Sequence, residues 1–401
     1  MKYFVQSRWS VALCVVSLAS MLKSYSSRAM IHDRKLEVAL EANQLLPGRH
    51  ILIQFSMAFQ PTKPISEYVR YAQLMEKYDF DAFLVYDDLD YKPCWPVLFA
   101  VAPETKRLLM GPCVTHPWHI HPVVTAGHIA SLDELTNGRA VLGIGRGSNY
   151  EHLGVKTPRP LTTIREAIEI ISRIIRGDKT EYRGKVFNIS ESLLSTLSAI
   201  RLSYEPRRET IPIFIGTWGP KLCQIAGEMK EVSEVRADML WNPNYIPVIS
   251  RNIAQGAAKV GRDPSEVRIG VGPQTSISNS REAARNYVKK TLADYLAYTP
   301  YHVMATAIGV DRNELEAVAK AIRPIGSVYN PANDYASAVG AISDYTIDNM
   351  TASGTPEDII HGAERMIRAG VSHISFCHPH GPNVEEAIHL LGHEVIPHLK
   401  E

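Results

Sequence analysis

Ser131-Leu-Asp-Glu-Leu-Thr-Asn-Gly-Arg-Ala-Val-Leu-Gly-Ile-Gly-Arg-Gly-Ser-Asn149 packs the end of one element, the whole of a second and the start of a loop into one short run. A helix closes at Asn137-Gly138, the residue types that tolerate a left-handed helix end. An apolar strand follows through Ala140 to Gly145, and the polar, glycine-spaced loop Arg146-Gly147-Ser148-Asn149 comes directly after it. Barrel and open-sheet enzymes place their chemistry on loops just past the carboxyl ends of strands. The glycines permit close backbone approach, and backbone amides with Ser148 suit a polar cofactor. A tight turn between two packed elements has the same appearance.

Working outward from that run, strands and helices alternate. Strands are predicted at 51–55, 80–85, 108–114, 141–145, 211–216, 238–241, 267–271 and 373–377. Helices are predicted at 65–78, 95–102, 123–135, 163–175, 221–229, 248–260 and 355–369, with a last one starting at Glu385. The fourth of these has Thr163 as its expected cap, with Glu166 three residues on. Eight strands with intervening helices predict an α/β fold of the (β/α)8 TIM-barrel type, a single domain over 51–401. Segments 177–210, with a hairpin near 182–187, and 281–350, mainly helical, read as insertions on the active-site side after strands four and seven. The runner-up is a doubly wound sheet. A dinucleotide-binding version of it wants its glycine loop after the first strand, and here the loop follows the fourth.

Composition narrows the function classes. The chain has 401 residues, 45% hydrophobic, with a net charge of +1. That leaves room for a large core, and argues against disorder and against nucleic-acid binding through a basic surface. Five cysteines without a CxxC pair point to reduced cytoplasmic thiols rather than disulfides or structural zinc. Residues 1–50 read as an N-terminal extension. Its first 30 residues, with Lys2 and Arg8 ahead of a short apolar run, have the outline of a signal peptide; a disordered extension or an early start codon fits as well. The apolar run is too short to span a bilayer. Motifs of the P-loop, HExxH and GxSxG kinds are absent. Histidines gather near 116–128 and 373–380; His119 and His121 form a ligand-like pair that lacks a third partner in sequence, so no metal is assigned.

Gly111-Pro-Cys-Val-Thr-His-Pro117, the Thr136 to Ser148 run, Ile215-Gly-Thr-Trp-Gly-Pro220, Ser375-Phe-Cys-His-Pro-His-Gly-Pro382 and Ala387-Ile-His-Leu-Leu-Gly392 fall in one order. On these motifs the chain resembles the luciferase-like monooxygenase superfamily over roughly 51–397. Within it, it looks most like the branch that uses the deazaflavin coenzyme F420, and especially like methylenetetrahydromethanopterin reductase-like proteins. The resemblance implies a cofactor across the carboxyl end of the barrel, and a non-prolyl cis peptide at Cys113-Val114 behind its ring. It also implies cofactor contacts from Asp87, Gly147 and Ser148, and a phosphate cradle at Thr217, Trp218 and Gly219. Asp88 and His116 are the candidate acid–base residues. Ser148 stands where some deazaflavin sugar dehydrogenases carry a catalytic glutamate, a departure that weighs against sugar dehydrogenation. The expected activity is hydride transfer between F420 and a small molecule, either a methylene-tetrahydromethanopterin-like compound or an alcohol or carbonyl. Alternatives are an FMN-dependent monooxygenase and a non-catalytic barrel that binds a cofactor or partner. The resemblance further implies a homodimer or small homo-oligomer, with no nucleic acid and no membrane as partner.

Overall fold

The computed structural model describes residues 53–89, 91–147, 154–178, 181–189, 202–298, 300–322 and 333–401. The extension expected over 1–50 and Ser148 lie outside these residues. Eight parallel strands form the barrel: β1 (Gln54–Phe59), β2 (Ala82–Val85), β3 (Leu109–Pro112), β4 (Leu142–Gly145), β7 (Ile213–Gly216), β8 (Val232–Asp238), β9 (Arg268–Gly272) and β12 (His373–His380). They are hydrogen-bonded in the order β3-β2-β1-β12-β9-β8-β7-β4. Bridges Met110 to Ala140 and Thr115 to Ile144 join the two ends of that order and close the ring. Helices α1 (Ile65–Lys77), α2 (Cys94–Val101), α3 (Pro122–Leu135), α4 (Pro160–Ile175), α5 (Pro220–Glu228), α6 (Ile246–Ala258), α12 (Pro356–Arg368) and α13 (Val384–Leu390) belong to the strand–helix alternation. The expected TIM barrel is the observed fold.

The described part of the run, 131–147, does what its composition requires. Asn137 and Gly138 both have positive φ, 56° and 91°, and turn the chain out of α3. Arg139 then bonds back to the carbonyls of Thr136 (2.7 Å) and Thr105 (2.8 Å), pinning the entry of β4 beside that of β3. Asp133 accepts from the Ala140 amide at 3.1 Å and takes Arg208 as its ion partner. In β4 the glycines are steric necessities. A Cβ at Gly143 would overlap the Phe214 ring, and one at Gly145 would come within 2.8 Å of Val114 Cγ2.

Two strands are displaced from their predicted places, for one physical reason. The first runs 54–59 rather than 51–55, and the sixth 232–238 rather than 238–241. Both carry polar side chains on the barrel's inner face: Ser56 in β1, and Glu234 and Arg236 in β8, all buried. A search for apolar runs passes over such strands. Met239-Leu240-Trp241, predicted as strand, follows β8 as a turn: Met239 has φ 64°, and Trp241 packs against Gly362.

Helix α4 begins at Pro160, so Thr163 is no cap; its hydroxyl donates to the carbonyls of Pro158 and Arg159. Glu166, expected in the capping box, instead accepts from the amides of Lys185, Val186 and Phe187. It thereby fastens the hairpin β5 (Tyr182–Arg183) and β6 (Asn188–Ile189) to α4. Segment 177–210 follows α4 rather than β4, and its described part runs along the outside of α3 and α4, through Tyr204 on Ser131 and Arg208 on Asp133. None of its described residues reaches the mouth of the barrel. The second segment does. Strand β10 (Gln274–Ile277) extends the sheet beyond β9 and pairs with β11 (Thr351–Gly354) and the far end of β12. Between them lie α7 (Arg281–Leu296), α8 (Pro300–Ala307), α9 (Arg312–Ala321), α10 (Tyr335–Ala341) and α11 (Asp344–Met350).

Candidate active site

The carboxyl ends of the strands open into a cleft of about 250 Å³. On one side the chain leaves β3 through a cis peptide between Cys113 and Val114, the bond the resemblance implied. Val114 is seated between two glycines: a Cβ on Gly145 would meet its Cγ2 at 2.8 Å, and one on Gly216 would meet its Cγ1 at 2.7 Å. Both glycines end strands that flank this ledge, so a side chain at either position displaces it. Gly147, with φ 69°, carries the chain on past the ledge.

Directly after Gly216 the loop Thr217-Trp218-Gly219 leads into α5, with Pro220 at its first position. The Thr217 hydroxyl accepts from the Gly219 amide at 2.9 Å, and the Trp218 carbonyl accepts from the Tyr245 hydroxyl at 3.2 Å. The loop therefore holds its shape through its own bonds, at the end of a helix that favours anions. An aromatic wall closes the third side. Tyr301 on α8 lies 6.0 Å from Trp218, 5.7 Å from Tyr295 and 5.8 Å from Tyr298, ring centre to ring centre. Arg146, just past β4, donates to the Tyr298 hydroxyl at 3.5 Å. The second insertion thus supplies part of the roof.

The structure brings Asp88, Cys113, Val114, Gly147, Thr217, Trp218 and Gly219 to this one cleft. It does not bring Asp87 or His116 there. Beyond β2, side chains alternate in direction: Tyr86 and Asp88 line the cleft, while Asp87 between them turns outward. Asp87 is buried at the start of α2, where the Cys94 amide lies 3.5 Å from its Oδ1. His116 is buried behind the cis peptide with its Nδ1 3.0 Å from that of His119. Burial, then the neighbouring His119, pushes its pKa down to about 3, so it stays neutral at working pH. Among the described residues no group of His, Cys, Asp and Glu side chains is arranged to hold a metal.

The sequence reading missed the floor of the cleft. Glu234, Arg236 and Asp238 occupy alternate positions of β8 and form a charged ladder up the inside of the barrel. Glu234 accepts from Arg268 at 3.0 Å, and its other oxygen lies 2.8 Å from His373 Nδ1, whose Nε2 is 2.8 Å from the Ser56 hydroxyl. Burial alone raises the Glu234 pKa; His373, Arg236 and Arg268 outweigh it and bring it down to about 2. Arg236 is fully buried, its guanidinium 3.8 Å from the centre of the Phe214 ring, and its Nη2 donates to Cys113 Sγ at 2.6 Å. Asp238 ends the ladder at the cleft. Cys113 and Cys377 beside it are neutral thiols, since burial pushes the first well up and the second to about 12.

A closed (β/α)8 barrel, with a ledge, a helix-capped loop and an aromatic wall around a cleft at the carboxyl ends of its strands, defines a barrel built to take a flat ring with a polar tail. The particular family follows from comparison: the chain belongs to the luciferase-like monooxygenase family, whose model matches residues 48–373. It is similar to the 5,10-methylenetetrahydromethanopterin reductase of Archaeoglobus fulgidus, 31% identical over 350 residues that cover 87% of this chain and 100% of that protein. It is also similar to an F420-dependent glucose-6-phosphate dehydrogenase of Microbacterium testaceum, at 24% identity over 84% of this chain and 94% of that protein. Among solved structures, the coenzyme F420-dependent tetrahydromethanopterin reductase of Methanopyrus kandleri superposes with a TM-score of 0.76 at 26% identity, covering 86% of this chain and 99% of that one.

Proposed function

We propose that this chain is an F420-dependent oxidoreductase that transfers a hydride between the deazaflavin and a small organic molecule. The observation that carries the reading is the Val114 ledge. It sits where two glycines leave room for it and lines one cleft with the loop that leads into α5. When bound, F420 supplies or accepts a hydride at C5 of its ring. The chain's own residues hold the ring against Val114 and Gly147 and take the phosphate at Thr217, Trp218 and Gly219. Tyr295, Tyr298 and Tyr301 exclude water from the reacting face; positioning and exclusion of water are the main contributions of such a site. The aromatic wall supports a substrate with a flat ring of its own, and methylene-tetrahydromethanopterin is the first compound to assay. Asp88, at the same cleft, remains in reach of a substrate, whereas Asp87 and His116 act through the packing behind the cleft. Among the described residues no helix is long and apolar enough to cross a membrane. A cytoplasmic homodimer or small homo-oligomer rests on the family resemblance and on buried, unbridged thiols.

Fluorescence titration of the purified protein with oxidised F420 and with FMN, followed by assay of reduced F420 with methylene-tetrahydromethanopterin, tests the proposal. Binding of F420 in preference to FMN, with turnover that consumes no oxygen, is the expected result. Preference for FMN with substrate-dependent oxygen uptake overturns it in favour of a monooxygenase.

A further inference from the structure

The floor of the cleft holds two polar side chains whose bonds are not made within the protein. Asp238 Oδ1 is shut off from solvent and takes no hydrogen bond. Gln274, 1% exposed, lines the same cleft with neither its amide oxygen nor its amide nitrogen bonded. Buried polar groups are nearly always paired, so Gln274 left open, beside an Asp238 whose side chain is 34% exposed at the same cleft, points at a ligand that completes them.

We propose, building on the hydride-transfer reading above, that Asp238 is the residue that exchanges a proton with the substrate, and that Arg236 and Gly272 position it. Asp238 is the last residue of β8 and reaches the cleft at the level of Cys113 and Cys377. Its seat exists because position 272 is glycine: a Cβ there would overlap Oδ1 and come within 3.0 Å of Cys377 Sγ. Arg236 Nε stands 3.7 Å from Oδ1, beyond hydrogen-bond length but close enough to stabilise the carboxylate left when the proton departs. Its guanidinium is itself fixed on Phe214 and Cys113. The charged and titratable groups around Asp238 are Arg236 and Glu234 on its own strand, Cys113 past β3, Cys377 and His373 on β12, Tyr86 past β2 and Tyr301 on α8. Burial raises the Asp238 pKa, and Arg236 only partly offsets this, so the carboxyl holds its proton above the usual carboxylate range. The two thiols and two tyrosines around it are shifted upward, away from neutrality.

In the reductive direction the hydride brings both electrons to the substrate carbon. The substrate carbon gives up a C–N bond, or the π bond of a carbonyl, to its neighbouring nitrogen or oxygen; the Asp238 O–H bond breaks and an N–H or O–H bond forms on that atom. The carboxylate recovers its proton from water at the cleft mouth, and no further oxidant or reductant enters. Gln274, donor and acceptor in one side chain, orients the heteroatom toward Asp238.

Asp238→Asn and Asp238→Glu, titrated with oxidised F420 and assayed with reduced F420 and methylene-tetrahydromethanopterin between about pH 5 and 9, test this. Both variants are expected to bind F420 within about threefold of the parent. Asp238→Asn should lose about 100-fold in kcat, the usual size of a lost general acid, together with the parent's decline in rate at high pH, and Asp238→Glu should recover part of both. A readout without substrate runs alongside. A carboxyl with a raised pKa in the folded state loses its contribution to stability as pH rises through that pKa. The melting temperature of Asp238→Asn should therefore match the parent's below the ordinary carboxylate pKa, at about pH 3, and exceed it once pH has risen through the folded-state pKa. Parent-like kcat and pH profile in Asp238→Asn, or a difference in melting temperature that does not vary with pH, overturns the inference. Failure of the parent to bind F420 overturns the hydride reading and with it the catalytic role, while the melting series still decides whether Asp238 carries a tightly held proton.

Discussion

The two ends of the barrel are built from the same strands but treat buried polarity in opposite ways. At the amino end Glu234, Arg268, His373 and Ser56 form a connected set with each member bonded to another. Arg139 and Arg262 are likewise spent on carbonyls at the entries of strands. At the carboxyl end Asp238 and Gln274 leave bonds unmade. A single strand, β8, spans both regimes, with a bonded carboxylate at Glu234 and an open one at Asp238. A buried charge whose bonds are complete contributes to folding; a polar group left open beside a cleft costs stability and is retained for a ligand. The lower end is the anchor, and the upper end is the working face.

The sharpest way to break this contrast is Glu234→Gln. It leaves Arg268 and His373 facing a neutral amide, and it should cost on the order of 3 kcal/mol in urea unfolding. The Glu234 pKa is depressed in the fold, so its contribution is present above the ordinary carboxylate pKa and is lost as pH falls toward about 2. The stability gap between parent and Glu234→Gln should accordingly narrow with acidification; a gap that widens contradicts the assignment.

Next in size is Gly145→Val, which drives a side chain into Val114. Overpacking of this kind costs about 1–3 kcal/mol. The affinity for F420 should fall at least tenfold by fluorescence titration while the circular dichroism spectrum stays that of the parent. Undiminished binding would remove the ledge from the site. A smaller effect is expected from Tyr301→Leu: losing its ring contacts, worth about 1 kcal/mol, should raise KM severalfold and leave kcat nearly intact. A change confined to kcat would place the wall in the chemical step instead. The smallest effect belongs to His116→Gln. A histidine held near pKa 3 and absent from the cleft should leave the pH profile unmoved above pH 5, and a lost limb there would reinstate it as an acid–base residue.

The outer layer of the barrel was legible in the sequence because its strands and helices obey apolar periodicity. The run from Ser131 showed its helix end and its strand, and the strands predicted at 211–216 and 267–271 followed suit. The inner face was less legible. β8 hides as Val-Ser-Glu-Val-Arg-Ala-Asp, a polar string whose burial depends on partners more than a hundred residues away, such as His373 and Cys113. The cis bond at Cys113-Val114 came from family resemblance and has no local signature. Asp87 and Asp88 are adjacent in sequence, and only strand alternation separates the one in the cleft from the one behind it.

Calorimetric titration of the parent, Glu234→Gln and Gly145→Val with oxidised F420, at a temperature where all three are folded, tests the division of the barrel most directly. The account predicts one F420 site per chain, with parent affinity kept by Glu234→Gln and lost by Gly145→Val. No F420 binding by the parent, or equal loss in both variants, contradicts it.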